Sequence, residues 1–369
     1  MVVLLALGGI GAAVAVWALT PEDPARLMAR AEAAARSSDW PAAQKDWRAV
    51  NQTRFASAQS FLGEARASLA LDSAAQAERA LIESINRNPA DPAPWLLRLW
   101  LLHVEDRTLE AKRLGWAAYR AVPSSARRDV LRGLTLALLT ETPDDLARPQ
   151  LDRWISGDPA DVNARVALLS RVAAQPHAGD PDRATQISTL SSLLASNPEH
   201  LAAREALLVG LAGAGEVDRG RDVLNAWPSQ ARDARYYRLQ GRWDLDYNHQ
   251  PTLAIEAFRR ALAELPHDWR THYRLSRALR TLSQKDEADQ EALTVTRLRE
   301  ILDSGPLGTR LAQGFAHLDD PKSCRDLAQL CTAVGLDRLA SAWRLESEGQ
   351  PTSAKDLLNT GSPLPPPPH

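Results

Sequence analysis

The chain has 369 residues, with 44% hydrophobic and 24% charged side chains and a formal net charge of −2 from 44 Lys+Arg against 46 Asp+Glu. This is the composition of an ordinary folded chain, and the charge balance excludes the basic excess of a nucleic-acid binder. The two cysteines, Cys324 and Cys331, would stand about 10 Å apart along a helix, too far for a disulfide between them and without the partners of a zinc or haem motif.

Residues 1–19, MVVLLALGGIGAAVAVWAL, carry no charge. A helix needs about 20 apolar residues to cross a bilayer, and Trp17 stands where an interfacial aromatic belongs. Three readings compete: a single membrane anchor, a cleaved signal peptide cut after Val16-Trp17-Ala18, and a buried helix. The missing basic start and the long apolar run count against the signal peptide, so a transmembrane anchor over 1–20 is expected. Arg26 and Arg30 favour a cytoplasmic repeat region, but the short N-terminus leaves little to translocate. The expectation is therefore a single-pass protein with its repeats outside the cytoplasm. The Ala-, Arg- and Pro-rich composition suggests a bacterial envelope.

A fixed period follows. SDWPAAQKDW, LDSAAQAERAL and RTLEAKRLGW place Ala43, Ala77 and Ala111 at one position, with 77 − 43 = 34 and 111 − 77 = 34. Pro89 and Pro123 are also 34 apart, as are Ala254 and Ala288. The bulky and small residues recur at helical spacing, on one face. Each Pro removes a donor and restricts the residue before it, which ends a helix. In Asn88-Pro89-Ala90-Asp91 and Asp158-Pro159-Ala160-Asp161 the break also supplies an Asp to cap the next helix. The middle is less regular, with an enlarged turn at 175–181 and Gly215 and Gly220 in a short unit.

The period and residue classes resemble the tetratricopeptide repeat. Tyr236, Leu239, Gln240 and Trp243, then Ala254, Phe258, Ala261 and Pro266, make the fullest copy. Trp95, Leu99, Leu102, Ala111, Ala118 and Pro123 make a second, and Phe61, Ala65, Ser68, Ala77, Leu81, Ser84 and Pro89 a third. The resemblance implies an all-α, right-handed superhelical solenoid of tetratricopeptide-type helix-turn-helix repeats, preceded by one apolar helix. The expected organisation is an anchor or signal segment at 1–20, repeats at 24–125, divergent repeats at 126–228, repeats at 229–300, a helical cap at 301–349 and a disordered Pro-rich tail at 350–369. About nine helix pairs are expected.

No phosphate loop, His-Glu-x-x-His or Gly-x-Ser-x-Gly occurs in the sequence. His267 and His272 are five apart, off a shared helix face, which argues against a metal site. No catalytic, cofactor or metal residue is therefore expected, and no small-molecule substrate. Most of the 11 tryptophans fall on or beside packing positions, leaving Trp100 and Trp269 as candidate groove residues.

The resemblance also implies that the first helix of each unit lines a concave, partner-binding surface. It places Leu96, Trp100 and His103 there, then Tyr237 and Gly241, then Arg270, Tyr273, Arg277 and Arg280, with Arg274 beside them. Arg270 and Arg274 fall where one class of these repeats clamps a peptide carboxylate, although Tyr237 and Gly241 replace the matching polar residues. The partner-binding candidates are Trp100, Tyr237, Arg270, Tyr273, Arg274, Arg277 and Arg280. The expected function is a non-catalytic, membrane-tethered protein-protein interaction scaffold with a protein or peptide partner. The alternatives are an accessory subunit of an envelope enzyme or assembly complex, and a secreted or periplasmic soluble adaptor.

Overall fold

The computed structural model describes residues 23–173 and 181–348, all helices and turns with no strand among them. The fold is an all-α array of helix pairs, divided between Pro89 and Ala90 into two compact units. The first unit contains α1 (Pro24–Arg36), α2 (Trp40–Asn51), α3 (Ala58–Ala70) and α4 (Ala74–Arg87). The second runs from α5 (Pro92–Val104), α6 (Thr108–Ala121), α7 (Ser124–Leu139), α8 (Asp144–Gly157) and α9 (Val162–Ala173) to α10 (Pro181–Ser196), α11 (Leu201–Ala214) and α12 (Val217–Asn225). It continues with α13 (Ala234–Asp246), α14 (Pro251–Glu264), α15 (Trp269–Thr281), α16 (Lys285–Ile301), α17 (Ser304–Ala316), α18 (Pro321–Ala333) and α19 (Asp337–Glu348).

Local chemistry sets these boundaries. Asp23, Asp39, Asp91, Asp233, Asp268, Asp303 and Asp320 each cap a helix through a side-chain carboxylate that accepts a backbone N–H. The helices before Pro89, Pro123, Pro159 and Pro266 end one or two residues short of the proline. The small positions of the repeat are closed: Ala43, Ala77, Ala111, Ala254 and Ala288 have no exposed surface. The bulky side chains Trp47, Trp154, Trp243 and Phe258 are closed as well, none more than 4% exposed.

The 34-residue period also governs the backbone of the turns. Ser38, Asp72 and Asp106 have positive φ of 60°, 55° and 55°, and 72 − 38 = 34 and 106 − 72 = 34. A second series, Gly215, His249 and Ser283, shows φ of 75°, 54° and 60° at the same interval, 249 − 215 = 34 and 283 − 249 = 34. These six turns each hold one residue in the left-handed region, a conformation natural to glycine and more costly for other residues.

The second unit is tied together by contacts distant in sequence. α6 meets α13 and α14, where Leu109, Ala234 and Ala261 form one buried cluster and Lys112 Nζ donates to the backbone oxygen of Glu264. α19 packs on α7, and its Trp343 is completely buried.

The single-pass membrane location expected from the sequence requires correction. Among the described residues no helix is long and apolar enough to cross a membrane. The longest, α16, has 17 residues with four acids among its first seven, and at 1.5 Å per residue it falls short of a hydrocarbon layer of about 30 Å. The apolar segment 1–20, the enlarged turn at 175–180 and the tail 350–369 lie outside the described residues.

Candidate functional site: a guanidinium-rich face on helices α13 and α15

α15 has the sequence WRTHYRLSRALRT and is strongly amphipathic. Thr271, Leu275, Ser276, Ala278 and Leu279 are buried, which turns Arg270, Tyr273, Arg277 and Arg280 outward, with Arg274 half-buried between them. The adjacent α13 contributes Arg238 and Arg242. Five of the seven candidates thus share one helix by their 3- and 4-residue spacing.

The charges on this face are unequal in their pairing. Arg238 ion-pairs with Glu205 and, at 3.4 Å, with Asp268. Burial works against its charge, but the two carboxylates hold Arg238 protonated well above the usual range. Asp268 also caps α15, accepting from the Arg270 and Thr271 amides and from the Thr271 hydroxyl at 2.6 Å. Despite burial, its neighbours keep this carboxyl below the ordinary range. Asp246 is shared, lying 3.4 Å from Arg277 and 3.9 Å from Arg242. Arg274 has no ion pair or hydrogen bond among the described residues, and burial together with Arg242 lowers its pKa. Four guanidiniums (238, 242, 274, 277) therefore face three carboxylates (205, 246, 268).

The remaining candidates have different surroundings. Arg270 lies over Trp269 at 4.8 Å and 3.8 Å from Glu141, while Arg280 stands 3.3 Å from Asp289. Tyr273 is 53% exposed. Tyr237 is half-buried, packing against the cluster of Leu109, Ala234 and Ala261 and lying beneath Arg260 at 5.4 Å. Trp100, 43% exposed, meets the buried Trp154 edge to face at 5.7 Å, and no described contact joins it to the arginine face. Trp269 is half-buried between Arg270 and Arg299.

The sequence suggests local Asp and Glu pairing with this Arg-rich face but does not identify the partners. Arg242 and Asp246 were detectable as an i,i+4 pair, but the bridge from Asp246 to Arg277 crosses two helices and leaves no local signal. No metal-binding group of three or more His, Cys, Asp or Glu exists among the described residues. The ring nitrogens of His272 lie 2.5 Å from a Glu291 carboxylate oxygen and 2.9 Å from the Pro266 carbonyl oxygen; although burial opposes charge, these partners raise its pKa.

His267 behaves in the opposite way. Burial, aided by Lys112, lowers it to about 4, and its Nδ1 has no hydrogen-bond partner. A depressed histidine contributes stability that is complete above its unfolded value of about 6.5 and is lost as pH falls through the folded value. Urea midpoints should therefore fall between pH 6.5 and 4, by up to about 3 kcal/mol in free energy. His267→Gln should remove that part of the slope, whereas an unchanged slope would place the titration elsewhere.

Residues 177–242 match the model of a tetratricopeptide repeat, in agreement with the repeat reading of the sequence. No curated protein sequence matches the chain. Among solved structures it is similar to a tetratricopeptide repeat protein from Parabacteroides merdae, at 12% identity, covering 69% of this chain and 98% of that one, with a TM-score of 0.33. It is also similar to a chain of the APC/C hetero-tetramer Cut9-Hcn1, at 13% identity, covering 90% and 80%, with a TM-score of 0.33. Yeast Tom70 is similar at 10% identity, covering 88% and 76%, with a TM-score of 0.29.

Proposed function

We propose that this helix-pair array is a non-catalytic protein-protein interaction scaffold, and that its α13–α15 face binds an acidic segment of a protein partner. Tetratricopeptide-like folds generally mediate protein-protein interaction, by presenting extended surfaces built from stacked units. The observation that carries the reading is the unmatched guanidinium of Arg274, beside Arg242 and Arg277, which share one carboxylate. A partner carboxylate supplies the missing counter-charge, and Arg is suited to gripping it with two N–H donors. The exposed ring of Tyr273 offers apolar area next to that charge.

Fluorescence anisotropy with a labelled hexaglutamate peptide tests the proposal. The wild-type chain should bind it, and added salt should weaken the complex. Replacing Arg270, Arg274 and Arg277 together with Ala should reduce affinity at least about tenfold, or about 1.4 kcal/mol. Arg274→Ala alone should account for most of that loss, because Arg277 already has Asp246. Unchanged affinity in the triple variant would exclude this face.

A further inference from the structure

The turn between α18 and α19 reaches the turn between α14 and α15, where a Cβ on Gly335 would stand 3.2 Å from the Pro266 Cβ. α19 then packs on α7, its Trp343 indole N–H donating to Thr135 Oγ1 at 3.0 Å. This course brings the Arg338 guanidinium to α6, 4.2 Å from the centre of the Trp116 ring. On α6 itself, Lys112 and Arg120 stand four residues before and four residues after Trp116. Residues at that spacing are neighbours on one helix face. Three cations from two helices distant in sequence therefore gather around one indole, itself only 3% exposed.

The chain supplies no counter-charge to this group. Arg120 and Arg338 have no ion pair or hydrogen bond among the described residues, and the Arg338 Nε is buried without a partner. Lys112 uses one of its three N–H donors on the backbone oxygen of Glu264. The carboxylates nearby are engaged elsewhere. That of Glu264 accepts the Ala234 amide at 2.9 Å and lies 3.8 Å from Arg113. That of Glu346 accepts the Tyr119 hydroxyl at 2.9 Å and lies 3.9 Å from Arg128. Asp337, next to Arg338 in the chain, is exposed and makes no ion pair among the described residues. The surplus acts on the cations themselves. Burial, with Arg338 and Arg113, lowers the Lys112 pKa against the pull of Glu264, and burial with Arg120 lowers that of Arg338.

A buried donor without a partner calls for a water or an ion, and only an anion also balances the charge. We propose that Lys112, Arg120 and Arg338 form a binding site for a small oxyanion of the phosphate class, beside Trp116 at the junction of α6 and α19. A guanidinium meets two phosphate oxygens with parallel N–H donors, and the lysine adds a point charge. The cations surround one ring instead of lining a groove, which fits a compact ion and not the extended acidic segment suited to α15. The inference is independent of the arginine face.

Calorimetric titration of the full chain with inorganic phosphate, in chloride buffer at constant ionic strength, tests the site. The wild-type chain should bind one phosphate, and its thermal midpoint should rise with phosphate but not with added chloride. Arg120→Gln and Arg338→Gln should each weaken binding at least tenfold. Arg120 is exposed, so its variant keeps the fold and the test stands even where Arg338→Gln does not fold. Arg132→Gln removes the same charge from over Phe315 and should leave the affinity unchanged, as should joint replacement of Arg270, Arg274 and Arg277. No binding to the wild-type chain, an equal midpoint rise with chloride, or unchanged affinity in Arg120→Gln would overturn the proposal. So would loss of binding in the Arg270, Arg274 and Arg277 variant, which would place the phosphate on α15.

Discussion

Trp343→Ala should destabilise the docking of residues 304–348 by about 3–5 kcal/mol, the range for deleting a large aromatic from a closed core. Three terms contribute. The ring is fully buried, so its apolar surface returns to water and a cavity remains. The hydrogen bond to Thr135 is lost, at about 1 kcal/mol. Phe315, whose ring centre lies 6.5 Å away, loses its neighbour. Thr135 is not stranded, because its hydroxyl also donates to the Leu131 carbonyl at 2.7 Å, so no penalty for an unpaired buried polar group is added. Trp343→Phe should recover more than half of the loss. Denaturant titrations followed by circular dichroism measure both, and a change below about 1 kcal/mol for Trp343→Ala would mean that α19 contributes little to the fold.

Gly220→Val should cost about 3 kcal/mol, even though glycine is a poor helix former. Replacing a helical glycine ordinarily gains up to about 1 kcal/mol. At this position a Cβ would stand 2.2 Å from Trp243 Cζ2, an overlap that must move either α12 or the ring. The ring is only 1% exposed and its N–H donates to the Val217 carbonyl at 3.3 Å, so it has nowhere to go. Overpacking of this kind typically costs 1–3 kcal/mol, and the branched side chain puts Val at the upper end. Gly308 is the control, because a Cβ there meets nothing within 4 Å. Gly308→Ala should stabilise by about 0.5–1 kcal/mol. Thermal or denaturant midpoints moving in the same direction for both variants would contradict the packing argument.

The repeat was legible in the sequence because it is written in local terms. Ala43, Ala77, Ala111, Ala254 and Ala288 mark closed crossings, and the prolines mark helix ends. Gly220 was readable as a small position, although its partner Trp243, 23 residues on, was not. The turn series through Ser38, Asp72 and Asp106 escaped notice because it is carried by conformation, and Ser and Asp do not announce a positive φ as glycine does. The return of α19 onto α7 was not legible at all. Trp343 reads as one more packing tryptophan, and nothing in its neighbourhood points to Thr135, 208 residues away.

The candidate face was half legible. The spacing of Arg270, Tyr273, Arg274, Arg277 and Arg280 placed them together on one helix. The same reasoning put Tyr237 and Trp100 on the binding surface; Tyr237 is half-buried on α13, packed partly against α6, and Trp100 is exposed beside Trp154 elsewhere in the second unit. Which arginines are already neutralised depends on Asp246, Asp268 and Glu205 across helix boundaries.

Hydrogen exchange of the full chain with and without hexaglutamate peptide locates the partner surface directly. Binding at the arginine face predicts added protection in 234–246 and 269–281, lost in the Arg274→Ala variant. Protection confined to 92–104, around Trp100, or no change in exchange at saturating peptide, would contradict it.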